Sequence, residues 1–108
     1  MEIIVSKNNN RTLNVEFFDG TGDYNVPVGT QIKFTVKKSV NDSDDDILIT
    51  KTITGDGGSD YVIYLTENDT NLPCGLYWWD LKNVTDGVTI TRPDKFVISE
   101  VVLINGND

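Results

Sequence analysis

The residues of this 108-residue chain that could do chemistry are its acids: seventeen Asp and Glu stand against nine Lys and Arg, and His is absent. The densest run, Asp42, Asp44, Asp45 and Asp46, could gather oxygen ligands for calcium. It lacks the Gly and the bidentate Glu at the spacing of an EF-hand loop. A solvated loop held open by its own like charges is the stronger reading, and Asp56 and Asp60 pose the same choice more weakly. Glycoside cleavage by paired carboxylates needs two acids at fixed separation in a cleft, one with a raised pKa, and no acid here stands at a strand end beside a recognisable partner. The absence of His removes the commonest general base and transition-metal ligand, and leaves Cys74, between Pro73 and Gly75, without an activating partner. The expectation is a chain without catalytic residues, metal or cofactor.

A formal charge of −8 repels phosphate backbones and anionic lipid surfaces, so nucleic acid and membrane are poor partners. A single cysteine gives no internal disulfide framework. The residues from Met1 to Lys7 lack a basic region followed by a long apolar one, and no apolar run approaches a membrane span. Synthesis and residence in a cytoplasm are expected. Asn41-Asp42-Ser43, Asn68-Asp69-Thr70 and Asn83-Val84-Thr85 have the form of glycosylation acceptors, but without a signal peptide they read as turn residues.

The elements that must position these side chains read as strands, because the apolar period is two nearly everywhere. Gln31 to Lys37 is the clearest: Ile32, Phe34 and Val36 point one way, Lys33, Thr35 and Lys37 the other. Glu2 to Val5, Thr12 to Phe18, Ile47 to Thr54, Tyr61 to Leu65, Gly75 to Lys82, Val88 to Thr91, Phe96 to Ile98 and Val101 to Ile104 are the other candidates. Lys51 interrupts the inward set Ile47, Ile49 and Ile53, a pattern that leaves the facing of this strand open and could accommodate a bulge there. Residues 1–108 are long enough for one domain and one core. Short strands about ten residues apart, bounded by turn residues, predict an all-β sandwich of seven to eight antiparallel strands.

The most specific local signal is Leu72, Gly75 and Tyr77, the spacing of a tyrosine corner in immunoglobulin-like Greek-key sandwiches. There a phenol bonds back to the upstream backbone and pins the crossing between sheets. In the adjoining strand, alternation turns Trp78 away from Tyr77, Trp79 and Leu81. An outward Trp is an assembly interface, is covered by a loop, or is a platform for a sugar ring. Val101-Val102-Leu103-Ile104 is more apolar than one sheet face can bury, so either this strand is covered on both sides or it pairs with a second subunit by strand addition, which makes Val101 and Leu103 further candidates for an interface.

The segments Phe34-Thr35-Val36-Lys37-Lys38, Leu48-Ile49-Thr50-Lys51-Thr52-Ile53, Leu65-Thr66-Glu67-Asn68-Asp69-Thr70 and Leu72-Pro73-Cys74-Gly75-Leu76-Tyr77-Trp78-Trp79-Asp80-Leu81 carry a family resemblance. Together they resemble the small immunoglobulin-like domains of bacteriophage tail and baseplate proteins, such as the baseplate upper protein N-terminal domain. The likeness runs from about Ile32 to Ile98, with Trp79 in place of the usual second tyrosine and Pro93-Asp94-Lys95 where a Gly usually precedes Phe96. It implies a non-enzymatic virion component, made in the bacterial host cytoplasm, that assembles with copies of itself and with other tail or baseplate proteins. The competing expectation for the same fold is a carbohydrate- or host-surface-binding module, or a capsid decoration protein.

Overall fold

The computed structural model describes residues 2–39, 46–91 and 93–100. The described residues are all-β, with strands β1 (Ile3–Ser6), β2 (Arg11–Glu16), β3 (Phe18–Asp19), β4 (Gly22–Asp23), β5 (Gln31–Lys37), β6 (Ile49–Thr54), β7 (Asp60–Leu65), β8 (Gly75–Asn83), β9 (Val88–Thr89) and β10 (Asp94–Ser99). The large sheet has the order β1-β10-β8-β5-β6, with β9 also on β8, while β2 pairs with β7 and β3 with β4. Its neighbours are antiparallel except β1 and β10, which run parallel, Ile3 beside Phe96 and Ser6 beside Ser99.

Alternation explains why these segments pair as they do. The β-branched and aromatic residues of β5, β8 and β10 favour extended backbone and leave every second side chain apolar. Ile32, Phe34 and Val36 of β5, Tyr77, Trp79 and Leu81 of β8, and Phe96 and Ile98 of β10 are all buried. From the β2–β7 ladder, Leu13, Ile63 and Leu65 join the same core, so the ladder lies over the large sheet as a second layer. Phe34 is central, with ring centroids 5.8 Å from Trp79 and 6.3 Å from Phe96. Each such side chain removed from water contributes about 1.5–3 kcal/mol, which is the main force holding the layers together.

The structure corrects two details of the strand reading. Thr12 to Phe18 is not one strand: β2 stops at Glu16, Phe17 turns into the core against Tyr61, and Phe18 begins the short β3–β4 hairpin. No bulge occurs at Lys51, for the ladder runs without a break from Gln31 beside Thr54 to Val36 beside Ile49. Because β6 is an edge strand of the sheet, Lys51 can occupy an inward position and still carry its ammonium out to Asp69, 2.7 Å away. The expected strand Val101 to Ile104, with Val101 and Leu103, lies outside the described residues, as do Asp42, Asp44 and Asp45.

The segment before β5 is laced to the loop between β6 and β7. Val26 N–H donates to the Gly58 carbonyl, Gly57 N–H to that of Val26, and Gly55 N–H to that of Thr30, at 2.7 to 2.9 Å. Gly55 is buried so closely here that a Cβ would fall 2.1 Å from the Pro27 carbonyl oxygen and 2.8 Å from Val26 Cγ1. Gly55→Ala should therefore force backbone apart and destabilise by about 1–3 kcal/mol. Urea unfolding of the two proteins would show it as a lower midpoint at unchanged slope.

Candidate functional site

Between Leu65 and Gly75 the chain passes from the ladder to the large sheet, and the residues singled out in the sequence cluster at this crossing. Tyr77 enters β8 facing the core, and its hydroxyl donates to the Pro73 carbonyl at 2.5 Å. Burial, with the charge of Cys74 second, pushes the phenol's pKa above its ordinary value, so it remains a donor. Leu72 is half-buried and packs on the core. Gly75 has φ +149°, a conformation side-chain-bearing residues rarely adopt. The Lys38 ammonium sits 4.6 Å from the centre of the Tyr77 ring and donates to the Leu76 carbonyl. Cys74 is exposed.

Upstream in the same crossing, Asp69 accepts hydrogen bonds from the Thr66 N–H at 2.7 Å and the Thr66 hydroxyl at 3.0 Å, and pairs with Lys51. Burial works to raise its pKa, but the bonds from Lys51 and Thr66 outweigh it and hold the carboxyl below the usual range. Thr70 is fully buried, donating to the Asn9 carbonyl and accepting from the Asn9 N–H. The Lys7 ammonium donates to the Leu72 carbonyl. Sequence reasoning passed over Thr70 and Lys7, because their partners lie at the other end of the chain. The signal that the sequence does hold for this turn is the acid three residues after a Thr in Thr66-Glu67-Asn68-Asp69, a spacing at which side chain and backbone can close a turn on themselves.

On the outer side of the large sheet Trp78 is half-buried, directly between Lys37 of β5 and Lys95 of β10. Residues opposite one another on paired strands share a face, so Ile4, Val97 and Leu76 form a neighbouring apolar row. Thr35 donates to the Asp80 carboxylate at 2.7 Å one row further along. A separate groove of about 700 Å³ opens between β1 and β2, floored by Phe34, Trp79 and Leu81. Among the described residues no three of Cys, Asp and Glu gather where they could hold a metal ion, and no helix is long and apolar enough to cross a membrane. The polar side chains of Thr66, Asp69, Thr70 and Tyr77 are committed to holding the crossing.

Two substitutions test the crossing. Tyr77→Phe leaves the Pro73 carbonyl without its donor and should cost about 1–2 kcal/mol in urea unfolding. Asp69→Asn removes both the Lys51 partner and an anionic turn cap, and should cost about 1–2 kcal/mol at neutral pH. Folding depresses the Asp69 pKa, so its contribution is complete above the ordinary carboxylate range and is lost as pH falls through the folded value. Unfolding curves of wild type and Asp69→Asn should accordingly converge in acid.

Compared with known proteins, the chain matches no family model, no curated protein and no solved structure.

Proposed function

We propose that this chain is an immunoglobulin-like β-sandwich with Greek-key connections that serves as a non-catalytic structural component of a bacteriophage virion, in the tail or baseplate. In this reading it works by assembling with copies of itself and with neighbouring tail proteins. The observation that carries the fold half of the proposal is the crossing itself. β7 of one layer leads to β8 of the other, and the Tyr77 hydroxyl fastens to the Pro73 carbonyl at the turn, which is the arrangement of a tyrosine corner. The parallel pairing of β1 with β10 and the order β1-β10-β8-β5-β6 over β2-β7 fit the same fold.

The virion half rests on the resemblance of the segments from Ile32 to Ile98 to immunoglobulin-like tail and baseplate domains. The surface chemistry suits it: Trp78, Leu76, Val97 and Ile4 share one outer sheet face, and Leu76 and Ile4 are exposed there. Aromatic and aliphatic side chains at the centre of a polar face are the usual anchors of protein interfaces.

Sedimentation equilibrium of the purified chain tests the proposal, with a discrete or growing oligomer as the expected result and a strict monomer that joins no tail protein as the contrary one. Trp78→Ala should shift the melting temperature by less than about 5 °C, because the ring lies outside the core, while weakening association. A shift of Trp fluorescence on adding bacterial cell-wall glycans, without self-association, would instead favour the host-surface-binding reading.

A further inference from the structure

The charges of this acidic protein are sorted between its two outer faces. The outward positions of the large sheet carry Lys33, Lys37, Lys82 and Lys95 against Asp80, which Thr35 already engages. Lys33 and Lys82 stand directly opposite each other on β5 and β8, and both are exposed. The outward positions of the β2–β7 ladder are Thr12, Asn14, Glu16, Asp60, Val62 and Tyr64, and there Glu16 and Asp60 stand directly opposite each other, also exposed. Like charges directly opposite across a ladder are destabilising. The fold thus keeps a paired cation on one face and a paired anion on the other, each of which a partner of opposite sign would relieve.

The apolar residues follow the same plan. Trp78 lies four residues before Lys82 on β8, with Leu76 beyond it. Tyr64, 67 % exposed, lies four residues after Asp60 on β7, with Val62, 42 % exposed, between them. At ~3.3 Å per residue, each face therefore sets its aromatic about 13 Å from its charged pair. Both pairs lie at the same end of the molecule. Lys33 and Lys82 are near the Gln31, Thr54 and Asn83 end of the large sheet, from which the Gly55 to Ser59 loop leads straight to Asp60. In a copy displaced along the sheet normal and keeping its orientation, the acidic pair faces the same end as the lysine pair and Tyr64 the same end as Trp78, so charge and aromatic follow in the same order along both faces.

We propose that the chain associates with itself head to tail, the lysine-bearing outer face of the large sheet docking on the carboxylate-bearing outer face of the β2–β7 ladder of the next copy. This deepens the self-assembling reading above and rests on it. The two faces differ, so the contact is heterologous: repeated, it closes into a ring or continues as a stack, never into an isolated two-fold dimer. The ladder is narrow, which places a single contact in the weak class and makes association depend on concentration. It also depends on salt, since exposed charges are screened over about 10 Å at 0.1 M ionic strength.

The test is charge reversal on the whole chain, read by sedimentation equilibrium at low and high salt. Wild type should grow in mass with concentration and lose this at high salt. K33E/K82E and E16K/D60K, at exposed positions, should each keep the wild-type circular dichroism spectrum and melting behaviour. Alone, each should associate about tenfold more weakly or worse. An equimolar mixture should associate again, because the reversed large face of one variant meets the reversed ladder face of the other. A monomeric wild type, or a mixture that stays monomeric, overturns the proposal. Oligomers that form equally well in wild type and both variants also overturn this docking surface, while leaving the self-assembly reading in place.

Discussion

The backbone between Leu65 and Gly75 must leave one layer of the protein and enter the other without carrying an unpaired polar group into the core, and much of the rest follows from how it does so. Thr66 and Asp69 close the first turn on themselves, Lys51 anchors that turn to the edge of the large sheet, and Thr70 binds the backbone of the turn between β1 and β2. Lys7 and Tyr77 then take up the carbonyls of Leu72 and Pro73. Strands remote in sequence are thereby tied at one place, and the two layers are fixed in register over the cluster around Phe34.

Outside the groove over Phe34, Trp79 and Leu81, the surface chemistry of the protein is left to outward side chains. Rows across paired strands, more than neighbours in sequence, decide what that surface offers. Trp78 is set between two lysines that lie far from it along the chain, and Glu16 meets Asp60 only because β2 and β7 pair in one register. With a charge of −8 over the whole sequence, a basic face is an arrangement of the fold and does not follow from composition.

The strands themselves were readable where alternation is strict. β5 has the bounds its pattern predicts, and the inward set Tyr77, Trp79 and Leu81 of β8 follows from a period of two. Lys51 misled, because a cation in an inward position reads as a break in the strand. Only the edge position of β6 and the carboxylate of Asp69, supplied by a different loop, make it acceptable there. Phe17 and Phe18 read in sequence as one continuing strand, since a change of direction between adjacent aromatics leaves no turn residue to mark it. At the crossing, the spacing of Leu72, Gly75 and Tyr77 was visible, whereas the buried hydroxyl of Thr70 was not, a Thr in a polar run being indistinguishable from a solvated one.

The parallel ladder of β1 and β10 bears on how the molecule would carry load. Since Ile3 to Ser6 and Phe96 to Ser99 run in the same direction side by side, the chain enters at one end of the molecule and leaves β10 at the other. Tension applied through these two strands pulls them past each other, so their evenly spaced hydrogen bonds bear the force together in shear instead of opening one at a time. A hairpin at the same place would unzip, whereas this geometry resists traction along its length.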